Sequence, residues 1–269
     1  MKTTLDRQNL LLLHDDFEAP SLDTRRWGVG DWRLGSRTLL GKEPTFGRDA
    51  DATFVTLSLD SHHPANPGRA FFGTEIYSRC PFRRGSGLEL EARVRVRSEN
   101  SGMVTSFFTY AAHAEGADEI DFEFTGDQPK NALLASTWRQ WKPDRHEQHD
   151  SVHHAAEWIR VPNFDRRSWT RLKIRWLPRC TEWFVNDILV RRSSLVVPQA
   201  AMNVRANIWA AGAEWPEACD PNFCAVADPE ANTTYLYDID WIRVSTVALA
   251  ASFAAEHDDR ILATGGSPA

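Results

Sequence analysis

Gly87-Leu88-Glu89-Leu90-Glu91-Ala92-Arg93-Val94-Arg95-Val96-Arg97 alternates without a fault, Leu88, Leu90, Ala92, Val94 and Val96 on one side and Glu89, Glu91, Arg93, Arg95 and Arg97 on the other. A period of two over that length is a β-strand with one buried and one wet face. Outward from it the same signal recurs. Leu172, Ile174 and Trp176 alternate with Arg171, Lys173 and Arg175, and Leu177-Pro178-Arg179 then turns the chain into Glu182-Trp183-Phe184-Val185. Asn186-Asp187, two residues that tolerate left-handed dihedrals, precede Ile188-Leu189-Val190, so the segment reads as successive hairpins. Tyr235 to Val244 forms another long strand, and Gly and Pro punctuate the intervals at 64–68, 85–87, 126–129 and 216–229. Amphipathic helical pattern is nearly absent before residue 245. The expected fold class is all-β, two sheets packed face to face. Val247 to Glu256 is Ala-rich with apolar residues at helical spacing, predicting a short C-terminal helix, and Gly265 to Ala269 a loose tail.

The 269 residues, 42% hydrophobic, suffice for a substantial core, and with no repeat or long linker the whole chain 1–269 reads as one domain. A balance of 31 basic and 37 acidic residues, with no basic block, argues against nucleic acid as a partner. No apolar run approaches the roughly twenty residues of a membrane span, and Leu10 to Leu13 is too short for a signal-peptide core. Cys80, Cys180, Cys219 and Cys224 do not form a zinc spacing; a Cys219–Cys224 bridge and four free thiols are both compatible with the sequence.

Chemistry concentrates at Asp118-Glu119-Ile120-Asp121-Phe122-Glu123-Phe124. On a strand, Glu119, Asp121 and Glu123 share one face while Ile120, Phe122 and Phe124 share the other. A single carboxylate would be an ordinary solvated residue. Three in register, each about 7 Å from the next and with no basic residue between them, repel one another and push at least one pKa up. A protonated carboxylic acid beside an ionised one is what acid-assisted glycoside cleavage requires. Glu119 and Glu123 have α-carbons about 13 Å apart on an extended strand, whereas a retaining glycosidase holds its carboxyl groups about 5 to 5.5 Å apart. For such chemistry the tips would have to lean together over a concave sheet, with Asp121 between them.

The run DEIDFEFTG, Asp118 to Gly126, resembles the catalytic strand of glycoside hydrolase family 16, which includes bacterial lichenases and plant xyloglucan-modifying enzymes. Phe17 with Leu22-Asp23 and Trp27, Gly73 to Ile76, Ser106 to Tyr110, Trp183 to Asn186, Met202 to Trp209 and Asp240 to Val244 resemble that family's motifs in its order, over about residues 15 to 245. The resemblance implies a β-jelly roll of two curved antiparallel sheets. It implies Glu119 as nucleophile, Glu123 as general acid and then base, Asp121 as assisting carboxylate, and retained anomeric configuration. It also implies sugar-contacting roles for Glu75, Phe108, Tyr110, Trp138, Asn207, Trp209 and Trp215. Most of the 29 aromatic residues are expected in the core.

The catalytic strand has the uninterrupted Glu-x-Asp-x-Glu form of lichenases, without the extra residue typical of laminarinases and agarases, although Ala117 stands where lichenases commonly carry Trp. Mixed-linkage β-1,3-1,4-glucan is thus the leading substrate; another β-glucan, xyloglucan or a bacterial exopolysaccharide, and transfer to a second sugar instead of water, remain alternatives. No cofactor is required for such chemistry, and a monomer is expected. Asp240 matches an acidic position that in many relatives helps bind a structural calcium; a solvated strand residue is the competing reading. His146, His149, His153 and His154 lie in a polar segment and read as solvated, with a zinc site the minor alternative. Against the endo-glycosidase stand a sugar-binding module on the same fold, which has no need of the acidic trio, and a calcium-stabilised structural sandwich.

Overall fold

The alternating segments pair into two antiparallel sheets in a computed structural model that describes residues 9–142 and 153–247. In chain order the strands are β1 (Leu11–Asp15), β2 (Trp27–Val29), β3 (Arg33–Leu34), β4 (Thr38–Leu40), β5 (Thr45–Arg48), β6 (Thr53–Asp60), β7 (Phe71–Ser78), β8 (Leu88–Val96) and β9 (Met103–His113). They continue as β10 (Gly116–Thr125), β11 (Ala132–Trp141), β12 (His154–Arg160), β13 (Thr170–Trp176), β14 (Thr181–Val185), β15 (Ile188–Ser193), β16 (Asn203–Ala210) and β17 (Thr234–Thr246). One sheet runs β5-β6-β17-β8-β13-β14-β15, with β1 beside the second half of β17. The other runs β2-β7-β16-β9-β10-β11-β12. Non-sequential neighbours such as β16 between β7 and β9 give the jelly-roll topology that the sequence led us to expect. The expected C-terminal helix lies outside the described residues apart from Val247.

The strands read from strict alternation, β8 and β13, bury the face it predicts. Leu88, Leu90, Ala92, Val94 and Val96 of the first sheet meet Ile120, Phe122 and Phe124 of the second, together with Phe107, Val204, Ala206, Ile208 and Leu133. All of these side chains are at most 1% exposed, so the core is dry between the layers. The wet face of the first sheet is covered by ion pairs, among them Arg95 with Asp238 and Asp49, and Arg175 with Glu89. Asn186 and Asp187 both take positive φ, 49° and 66°, closing the β14–β15 hairpin as their chemistry predicts.

Bulges break the period of two at informative places. In β17 the register against β8 shifts between Ile239 and Trp241, so the inward set changes from Tyr237 and Ile239 to Ile242 and Val244. In β15 a shift opposite Trp183 and Phe184 puts Arg191 on the core side.

Candidate active site

β10 pairs with β9 residue for residue from Gly116–His113 to Thr125–Val104, with no bulge. The hairpin joining them depends on Gly116, at φ 139°, where a Cβ would lie 2.5 Å from the Trp141 carbonyl oxygen. At the start of β10, buried Asp118 accepts hydrogen bonds from the backbone N–H groups of Gln140, Gln199 and Ala200 at 2.8–3.0 Å. These bonds clamp the strand to the β11 bulge and to the segment before β16. Below the strand, Trp183 of the opposite sheet donates through Nε1 to the Asp121 carbonyl at 2.9 Å. The backbone that carries the acids is therefore fixed from its end and from beneath.

Pairing sets rows across the free face of the second sheet. Glu119 is flanked by Tyr110 on β9 and Trp138 on β11, and Trp138 by His154 on β12. Asp121 lies between Phe108 and Ser136, with Arg205 and Tyr77 beyond Phe108. Glu123 lies beside Ser106, followed by Asn207 and Glu75. Val104 and Trp209 form the next row, and Trp215 stacks on Trp209 with ring centroids 6.1 Å apart. Asp121 is 1% exposed, and Glu119 and Glu123 are half-buried although they point away from the core. On a flat open sheet such side chains would be fully wet; here Tyr110, Trp138 and Phe108 are their cross-strand neighbours.

The electrostatics follow from this crowding. Burial, then the charges of Asp121 and Glu123, holds the Glu119 carboxyl well above the ordinary carboxylate range, with Arg205 opposing. Burial pushes Asp121 up to about 6, against the Ser136 hydroxyl, which donates to it at 2.5 Å, and the charge of Arg191. Burial and then Asp121 hold Glu123 well above its ordinary value, with Ser106 Oγ at 3.3 Å in opposition. Glu75, 1% exposed, is raised by burial although Arg205 Nη1 and Asn207 Nδ2 donate to it at 2.8 and 3.0 Å. For Asp118 burial is outweighed by its N–H donors, which keep it below the ordinary range and ionised. The three central acids thus titrate as one interacting set rather than singly.

All ten residues singled out by sequence for catalysis or sugar contact meet on or beside this one face: Glu75, Phe108, Tyr110, Glu119, Asp121, Glu123, Trp138, Asn207 and Trp209 on its strands, and Trp215 in the following loop. His154 stacks on Trp138 at 3.5 Å and 17°, while His146 and His149 lie outside the described residues. Sequence reasoning missed Arg205, Ser106, Ser136, Trp32 and Tyr77. The alternation of 203–210 already placed Arg205 with Asn207 and Trp209, so a signal existed. Sequence reasoning also missed Arg191, a buried strand residue whose Nη1 donates to the carbonyls of Ala135 and Ala155, turned inward by the β15 bulge.

Asp240 lies at the β17 bulge on the first sheet, remote from these rows, and is ion-paired with Arg93. Among the described residues no group of three or more His, Cys, Asp or Glu is arranged to hold a metal. A calcium at Asp240 would have to displace the guanidinium. The four cysteines are free thiols.

Fold and site together define a sandwich whose second sheet presents a row of acids among aromatic side chains. Residues 41–243 match the model for glycosyl hydrolases family 16, and the chain belongs to that family. It is 27% identical over 114 residues to a β-glucanase of Bacillus amyloliquefaciens; the aligned stretch spans 42% of this chain and 43% of that protein. Among solved structures it resembles a β-1,3-1,4-glucanase (lichenase) from a mouse hindgut metagenome, with TM-score 0.65, 19% identity and coverage of 87% of this chain and 99% of that one. It also resembles the Bacillus licheniformis β-glucanase (TM-score 0.66, 18% identity, 88% and 98% coverage) and the laminarinase catalytic domain of Thermotoga maritima (0.66, 13%, 90% and 100%). At these identities the structural likeness speaks for the fold.

Proposed function

We propose that the protein is an endo-acting, retaining glycoside hydrolase of β-glucans, with β-1,3-1,4-glucan its leading substrate. The observation that carries this reading is the trio Glu119, Asp121 and Glu123 on one face of an unbulged strand, half sunk in an aromatic trough and with all three carboxyls shifted upward. In the first step ionised Glu119 attacks the anomeric carbon, its oxygen forming the new glycosyl–enzyme bond as the bond to the leaving oxygen breaks. Protonated Glu123 gives its proton to that oxygen. In the second step Glu123, now ionised, takes a proton from water. The resulting hydroxide equivalent attacks the same carbon and Glu119 leaves as carboxylate.

Asp121 holds a proton or charge between them, steadied by Ser136, and its raised pKa lets the trio share protons near neutral pH. Two successive inversions leave the configuration unchanged. Trp138, Tyr110, Phe108, Trp209 and Trp215 offer ring faces to sugars, and Glu75 and Asn207 offer hydrogen bonds to hydroxyls. The unbulged strand favours the mixed-linkage polymer over laminarin, and the matched sequence relative is a β-glucanase. Reducing ends released from barley β-glucan, laminarin, xyloglucan and a panel of bacterial exopolysaccharides, each compared with Glu119→Gln, test the reading. Cleavage of the first that vanishes in the variant supports it; binding without cleavage of any polymer would replace it by a sugar-binding module.

A further inference from the structure

Arg205 is the least expected side chain on the acidic face. Its guanidinium carbon lies 4.8 Å from the ring centre of Tyr110, 5.3 Å from that of Trp32 and 5.5 Å from that of Tyr77. Nη1 is anchored on buried Glu75 at 2.8 Å, while Nε is buried without a partner. Three rings and a carboxylate therefore fix a positive charge on the row beside Tyr110, the direct cross-strand neighbour of Glu119. Four carboxylates, those of Glu75, Glu119, Asp121 and Glu123, share this face. Arg191 reaches Asp121 from the core side, and its guanidinium is bound to carbonyls and to Glu157.

We propose that Arg205 is a positioning residue that keeps the Glu119 carboxylate charged and aimed, clamped for that task by Glu75 and the Trp32–Tyr77–Tyr110 box. This rests on the reading of Glu119 as nucleophile. The groups facing Glu119 are Asp121 and Glu123 on its own strand, Tyr110 on β9, Arg205 on β16, Glu75 on β7 and Trp138 on β11 backed by His154 on β12. Of the charges acting on Glu119, those of Asp121, Glu123 and Glu75 favour its protonation and that of Arg205 opposes it. Such a cation matters in the first step, where the attacking oxygen must carry charge amid like charges. Arg205 touches Glu75 and rings rather than Glu119, so it acts through field and packing.

The test is the single-turnover burst of dinitrophenolate from a saturating 2,4-dinitrophenyl glycoside of a β-glucan trisaccharide, followed from pH 4 to 9. That leaving group needs no protonation, so the acid limb reports ionisation of the acidic set that contains Glu119 and not proton donation by Glu123. Arg205→Met is expected to move the midpoint of that limb up by about one pH unit while the high-pH plateau stays within about threefold. Arg205→Lys should shift it by less than half as much. A plateau that falls in Arg205→Met with an unmoved limb would overturn the proposal, leaving Arg205 a packing residue. If circular dichroism shows Arg205→Met unfolded, Arg205→Gln decides: an upward shift of the limb supports the proposal, and an unmoved limb refutes it. A burst that persists in Glu119→Ala, or is absent from the wild type, would instead refute the nucleophile reading.

Discussion

Asp121 gives the trough a measurable cost. Its carboxyl is 1% exposed and titrates at about 6 rather than 3.8. The folded chain therefore holds its proton more tightly than the unfolded chain does. Below about pH 3.8 both states are protonated and no penalty exists. Stability falls as pH rises through the window from 3.8 to about 6, and above it the full penalty applies. A shift of roughly two units corresponds to about 3 kcal/mol. Asp121→Asn keeps the shape and an acceptor for the Ser136 hydroxyl but carries no charge, so it should recover most of that at pH 7, raising the Tm on the order of 5–10 °C. Thermal unfolding of both proteins at pH 4, 5, 6 and 7 checks this, with the gap closing toward pH 4. An Asn variant less stable than wild type at pH 7, or a gap independent of pH, would refute the reasoning. Its hydrolytic activity should fall even as its stability rises, the trade-off expected where a site is built from strained charge.

Other outcomes follow from neighbouring contacts. Glu123→Gln should lower the rate on β-glucan by about 10²–10⁴-fold yet spare the first step on a dinitrophenyl glycoside; equal losses on both would deny it the acid role. Asp118→Ala leaves three backbone N–H groups without their acceptor, and urea unfolding should show a loss of at least about 3 kcal/mol. With Asp240 paired to Arg93, chelation by EDTA should leave the Tm unchanged, and a rise on adding calcium would show that the cation displaces Arg93.

The strands were legible because one face of each is dry: Leu88 to Val96 and Ile120 to Phe124 declare their period through burial alone, and Asn186-Asp187 declare the turn. The acidic trio was legible for the same reason, since three carboxylates on the wet side of a strand need explaining. Arg191 was not, because its orientation depends on a bulge at Val190 that leaves no mark in the composition of the segment. The bond of Arg205 to Glu75 was equally hidden: it joins residues 130 positions apart, and only the β16–β7 register brings them together. Asp118 showed itself as part of a motif, while its work, capturing backbone N–H groups from two distant segments, depends on tertiary structure.

The retaining pair can be tested on the first sugar released. Proton NMR of the new reducing end, recorded in the opening minutes of β-glucan cleavage before mutarotation, should show the β-anomer ahead of the α-anomer. An initial α-product would mean that water attacks directly across a wider gap between Glu119 and Glu123, and the double displacement proposed here would be wrong.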